Sequence, residues 1–173
     1  IYLSQISGNS WDLHQDLLSY LEKHSDVKLA FQPGTFHFEW GKETLAEIYR
    51  RAKLVVLNRE EAAHVLGISR ESVPEIIKGF HDLGVHTIVV TDGSDGAYAG
   101  DGDTSLQMPN YPDPAPPFER TGAGDAFAST ITTALAQCES LETALLWAPI
   151  NSMSVVQNLG AHAGLLPKDA LPK

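Results

Sequence analysis

The stretch Thr121-Gly122-Ala123-Gly124-Asp125-Ala126-Phe127 is where this sequence could do chemistry. Two glycines and an alanine leave the backbone bare just ahead of an apolar run at helical spacing: Ala126, Phe127, Ile131, Ala134 and Leu135. A bare turn that opens a helix aims several N–H groups at one point, with the positive end of the helix dipole behind them. Phosphate is the usual guest of such a point. A carboxylate beside it repels that guest, unless Asp125 takes a proton from whatever attacks the phosphate. The same carboxylate also suits the first turn of a helix with no chemistry at all.

Two further stretches follow buried, strand-like runs, and the carboxyl end of a parallel strand is where α/β proteins usually hold ligands. Asn58-Arg59-Glu60-Glu61 follows Leu54-Val55-Val56-Leu57. Asn58 and Glu61 have the spacing of a pair that organises metal or phosphate, and equally that of a capping box. Thr91-Asp92-Gly93-Ser94-Asp95-Gly96 follows the run from His86. Glycines there let a nucleotide approach the backbone, and an ordinary tight turn needs them too.

The sequence Glu119-Arg120-Thr121-Gly122-Ala123-Gly124-Asp125-Ala126-Phe127 resembles the C-terminal signature of the ribokinase-like (PfkB) carbohydrate and nucleoside kinases, usually Asp-Thr-x-Gly-Ala-Gly-Asp-x-Phe. Gly-Ala-Gly-Asp matches throughout; Glu119 stands where the family usually has Asp, and Arg120 where it often has Thr. The resemblance implies that Gly122, Ala123 and Gly124 form an anion hole and that Asp125 is the general base. Asn58 and Glu61 resemble the family's Asn-x-x-Glu, which helps place magnesium and phosphate through water. Thr91, Gly93 and Gly96 resemble its Thr-x-Gly-x-x-Gly, which lines the ATP phosphates and ribose. In the last helix Asn151 would meet the adenine edge. Glu119 would lie beside a monovalent cation such as K+, with the Gly160-Ala161 loop supplying carbonyls. The cofactors implied are ATP and Mg2+. The reaction implied is phosphoryl transfer to a hydroxyl of a sugar or nucleoside. A vitamin kinase of the same superfold and a nucleotide-binding module without catalysis are the alternatives.

The elements that must position these residues read as alternating strands and helices. Strands are expected at 1–6, 27–31, 54–57 and 86–91, with a short hairpin from 97–99 to 105–108. Helices are expected from Ser10 to about Lys23, from Lys42 to Arg51, at 59–66, 72–83, 123–136 and 140–158. Phe36, Phe38 and Trp40 read as loop residues, either plugs of the core or part of a site wall. The proline-rich stretch 109–119 reads as a stiff loop that aims the glycine turn. Continuous apolar strands alternating with helices predict a mostly parallel sheet in a three-layer α/β/α sandwich. The chain opens on Ile1 within a strand-like run, and the resemblance makes it the C-terminal, nucleotide-binding and catalytic part of a single ribokinase-like domain, without the N-terminal lid.

The balance of 12 Lys and Arg against 22 Asp and Glu gives a net charge of −10, and no basic stripe appears. This argues against nucleic acid and anionic membranes as partners. The partners expected are a small sugar or nucleoside and a second copy of the full-length chain. One cysteine, Cys138, forms no intrachain disulfide and fits a reducing compartment, the cytoplasm. The seven histidines are scattered without a zinc spacing, and Ser94, Ser129 and Cys138 lack a nucleophile elbow.

Overall fold

A computed structural model describes residues 1–172. In chain order the elements are β1 (Tyr2–Leu3), α1 (Trp11–Lys23), β2 (Leu29–Phe31), α2 (Thr35–Thr44), α3 (Ala46–Arg51), β3 (Ala52–Asn58), α4 (Arg59–Leu66), α5 (Val73–Asp82), β4 (Thr87–Thr91), β5 (Ala97–Gly100), β6 (Ser105–Met108), α6 (Ala123–Ala136) and α7 (Leu141–Val156). Short 3-10 turns occur at Gly93–Asp95 and Lys168–Ala170. The strands form one mixed sheet in the order β1-β2-β3-β4-β5-β6, giving an α/β fold.

β1, β2 and β3 pair in parallel, with Tyr2 opposite Ala30 and Phe31 opposite Val55. β4 returns through α4 and α5, and the His86 N–H reaches the Ala52 carbonyl at 3.4 Å, start beside start. The connections from β4 to β5 and from β5 to β6 are short loops. A parallel crossover needs a dozen residues or so, hence these last strands run antiparallel to their neighbours.

The chain forms two compact units, one of Ile1–Val90 with Tyr98–Ser105, the other of Thr91–Ala97 with the chain from Leu106 onward. The core of the first unit gathers Leu21, Phe31, Ile48, Tyr49, Val55, Ile76, Phe80 and Ile88, all buried. The four central residues of β3 are buried, which is why that strand reads as an unbroken apolar run. In the second unit α6 and α7 pack along each other, and small residues on both, Ala126, Ala134, Ala144 and Ala148, are buried.

Three elements differ from the sequence reading. The first strand pairs over Tyr2–Leu3 only, because after the Gln32-to-Leu3 bond of 2.8 Å the next donor in register, the Gly34 N–H, turns to His37 Nδ1 instead. The helix expected from Lys42 to Arg51 is divided at Leu45 between the end of α2 and α3, and α2 is itself kinked at Gly41, just ahead of that span, at φ 81°. Phe36, Phe38 and Trp40 lie in α2 and not in a loop. Pro33-Gly34 stops a strand but also starts this helix, since the Gly34 N–H donates to His37 Nδ1 at 3.0 Å. Phe38 and Trp40 pack against the core, the plug role foreseen for them.

α2 carries a polar pair into this core. His14 and His37 are buried, with their Nε2 atoms 2.9 Å apart, under Trp11, Trp40 and Phe31. His37 Nδ1 accepts from Gly34, so neutral His37 carries its proton on Nε2 and donates to His14. His14 then donates from Nδ1 to the Ser10 carbonyl at 2.7 Å. A proton added to the pair finds no further acceptor among the described residues. Burial, and then the charge of His14, lower the His37 pKa from 6.5 to about 4. The unfolded chain therefore binds the proton below 6.5 and the folded one does not until about 4, so stability is lost as pH falls across that window. The loss expected is roughly 3 kcal/mol, at about 1.4 kcal/mol per pKa unit. Urea midpoints at pH 7.5, 6 and 5 measure it, and His37→Gln should flatten the dependence.

Candidate functional site

The second unit contains the glycine turn of α6, the loop after α7 and the turn after β4. Gly122 caps α6 in the left-handed region at φ 82°. A Cβ there would lie 2.3 Å from the Ala161 carbonyl oxygen and 2.6 Å from its Cα, so the loop after α7 rests directly on the bare glycine. Glu119 Oε1 accepts the Gly160 N–H at 2.5 Å, and the Phe118 N–H donates to the Val156 carbonyl at 2.8 Å. Ser152 donates to the Ala123 carbonyl at 3.0 Å. The turn is thus clamped from behind along its length.

Its other side is open. A Cβ at Gly124 would meet nothing within 4 Å. The Gly124 N–H finds no acceptor among the described residues, while the Ala123 N–H turns back to the Arg120 carbonyl at 3.3 Å. Asp125 is the third residue of α6 and is exposed. An open turn with an unspent donor, a helix dipole behind it and a carboxylate at its edge can hold an anion and accept a proton.

The turn after β4 divides by role. Gly93, at φ 52°, has no atom within 4 Å of a built Cβ, and its carbonyl accepts from Asn110 Nδ2 at 2.5 Å. Gly96 is buried at φ 91° with its Cβ position only 2.1 Å from the Met108 carbonyl oxygen, so packing alone requires that glycine. Thr91, half-buried, ends β4.

Asn151 is 6% exposed and spends its amide inside the unit: Nδ2 donates to Thr130 Oγ1 at 2.8 Å and Oδ1 accepts from the Leu166 N–H at 2.9 Å. That side chain ties α6, α7 and the C-terminal segment together and, buried as it is, has little surface to offer an adenine edge.

In the first unit, Asn58 and Glu61 make both limbs of a capping box: Asn58 Oδ1 accepts the Glu61 N–H at 2.8 Å, and Glu61 Oε2 accepts the Asn58 N–H at 3.0 Å. Oε1 of Glu61 stands outside the two limbs of the box. Burial raises the Glu61 pKa, and the hydrogen bonds from Asn58 oppose the rise. No group of three or more His, Cys, Asp or Glu side chains among the described residues could hold a metal by itself. No helix among them is long and apolar enough to cross a membrane.

The profile of the pfkB family carbohydrate kinases matches residues 2–169. The chain belongs to that family. It is 25% identical over 128 residues to the ATP-dependent 6-phosphofructokinase of Thermoanaerobacterium thermosaccharolyticum, covering 71% of this chain and 38% of that protein. Arabidopsis thaliana ribokinase, solved with ribose and ATP, superposes with a TM-score of 0.79 at 22% identity over 95% of this chain and 51% of that one. A ribokinase II of E. coli, solved with ATP and Mg2+, gives 0.81 at 18% identity over 95% and 54%. The chain thus has the ribokinase-like fold and spans 38% of that relative and about half of each solved chain.

The Glu119-to-Gly160 bond, the Ser152 contact and the Asn151 network escaped sequence reasoning. Each joins residues far apart in the chain, and only the Gly160-Ala161 pair gave a signal.

Proposed function

We propose that the protein carrying this chain transfers the γ-phosphoryl group of ATP to a hydroxyl of a sugar or nucleoside. The observation that supports this best is the clamped turn with its open face, whose sequence is Gly122-Ala123-Gly124-Asp125. The N–H groups of Gly124 and its neighbours hold phosphoryl charge as it shifts. Asp125 takes the proton of the attacking hydroxyl. Thr91 and Gly93 line the nucleotide's phosphates and ribose, with the bare Gly93 admitting close approach, while Gly96 keeps the turn's shape. Catalysis of this kind rests on positioning and electrostatics.

Magnesium, when bound with ATP, neutralises phosphate charge. Glu61 fits a role in holding it through water, because Oε1 stands outside the capping box and a partly buried carboxylate gains from a nearby cation. Glu119 would present its second oxygen to a monovalent cation such as K+. Incubation of the intact protein with ATP, Mg2+ and a panel of sugars and nucleosides, followed by 31P NMR, tests the reading. A phosphate monoester with one acceptor class supports it; ATP binding with no product from any acceptor would leave a nucleotide-binding module.

Glu61→Gln retains an acceptor for the Asn58 N–H, since Gln serves a capping box as well as Glu does. Its melting temperature should hold while its magnesium requirement rises and turnover slows. A stability loss of about 1 kcal/mol with activity intact would reduce Glu61 to a cap.

A further inference from the structure

A hollow of about 280 Å³ opens in the first unit against α2, α3 and the C-terminal end of α4. Its polar lining is His37, whose two ring nitrogens are already bonded, with Lys42, Glu43, Tyr49 and His64, and Phe38 is an apolar wall. None of these residues has a part in the phosphoryl transfer proposed above.

Tyr49 is 1% exposed, and its ring packs against Phe31 and Phe80 at centroid distances of 5.5 and 5.9 Å. Its hydroxyl has no hydrogen-bond partner among the described residues. It is also not sealed off, since His81 Nε2 is the one fully sealed side-chain N or O atom left without a partner among them. The phenol oxygen therefore meets the hollow. Burial pushes the phenol pKa up, so the group is an O–H donor at any working pH. Buried hydroxyls are almost always bonded, and one left open toward a cavity marks a place where an acceptor belongs.

Lys42 is half-buried, and Nζ donates to the Leu66 carbonyl at 3.0 Å. Two N–H groups of the ammonium remain. Its only hydrogen bond is to that carbonyl, and no carboxylate pairs with it among the described residues. Capping the C-terminal end of α4 would by itself explain the lysine. It does not explain Tyr49, whose hydroxyl opens on the same hollow. The exposed His64 ring, 6.1 Å from Phe38, is a further donor on the lining.

We propose that this hollow binds a small oxyanion, the carboxylate or phosphate group of a metabolite, which accepts from the Tyr49 hydroxyl and the Lys42 ammonium. An ammonium without an anionic partner and a phenol O–H without an acceptor, among the described residues, together select an acceptor of negative charge. Glu43, exposed on the same lining, opposes the guest and keeps its affinity modest.

The test is an amide-resolved NMR titration of the intact protein with inorganic phosphate and, separately, with acetate, up to about 10 mM, a range suited to weak binding. Saturable shifts at Gly41, Lys42 and Gly67 are expected with at least one anion, and which one distinguishes a phosphate guest from a carboxylate guest. Shifts of the Ala123 and Gly124 amides report the catalytic turn instead and are scored apart. Lys42→Met and Tyr49→Phe should each weaken the first set about tenfold, the worth of a hydrogen bond to a charged group. Glu43→Gln should strengthen it. Tyr49→Phe should leave the melting temperature of the anion-free protein unchanged or raised, because an unbonded hydroxyl is removed. Absence of shifts at those three amides with both anions overturns the proposal. So does binding that Lys42→Met and Tyr49→Phe leave intact.

Discussion

Asp125→Asn is expected to lower kcat by roughly 10²–10⁴-fold in the intact protein, the usual contribution of a general base. Asn keeps the size and reach of the side chain and cannot accept the proton. Folding should change little, because position three of a helix tolerates either residue and Asp125 lies exposed in the first turn of α6. ATP affinity should hold or rise, since a negative charge near the γ-phosphate has gone. Steady-state kinetics at saturating acceptor, with ATP binding measured calorimetrically, separates the readings. A residue that only favours the helix dipole predicts no rate loss. A magnesium ligand predicts weaker ATP binding and a rate partly restored by more metal. Turnover within a few-fold of the parent would remove Asp125 from the mechanism.

Much of this frame was legible because its elements carry their own signals. α4 spans the expected residues, since Asn58 and Gly67 mark its ends, and Gly67 adopts φ 71° as a left-handed cap. α6 begins where the bare turn stops. The unbroken apolar run of β3 announces a strand covered on both faces. The α2 segment was misread because Pro33-Gly34 ends one element and begins another, and because the acceptor for the Gly34 N–H is His37, a residue with no reputation as a cap. Asn151 carries a structural load that its local sequence does not announce. Polar residues on an apolar helix invite a ligand, and here the Thr130 hydroxyl and the Leu166 N–H take one donor and one acceptor of the amide. Both partners are distant in sequence, so no local pattern records them. For the same reason no local pattern records that the chain at Met108 already forbids Gly96 a side chain.

Two glycines of one turn give opposite expected results, and together they test where the phosphoryl charge sits. Gly122→Ala places a methyl 2.3 Å from the Ala161 carbonyl oxygen, at a backbone angle of φ 82° that L-residues avoid. The neighbour is backbone and cannot swing aside. Left-handed geometry and overpacking together should lower stability by about 2–4 kcal/mol. Turnover should fall with it, because the loop that carries Gly160 must lift and the Glu119 bond with it. Gly124→Ala has helical geometry and an empty surround, so denaturation should show no loss and as much as about 1 kcal/mol of gain from helix propensity. Its methyl, however, projects from the open face of the turn. An anion drawn to the Gly124 N–H would be pushed off it, and turnover should drop by about tenfold or more, against roughly 10²–10³ for losing such a donor outright. Gly124→Ala with full stability and full turnover would mean that this face of the turn does not receive the phosphoryl group. A fall in turnover at undiminished stability is what an anion hole at Gly124 requires, because no folding defect is available to explain it.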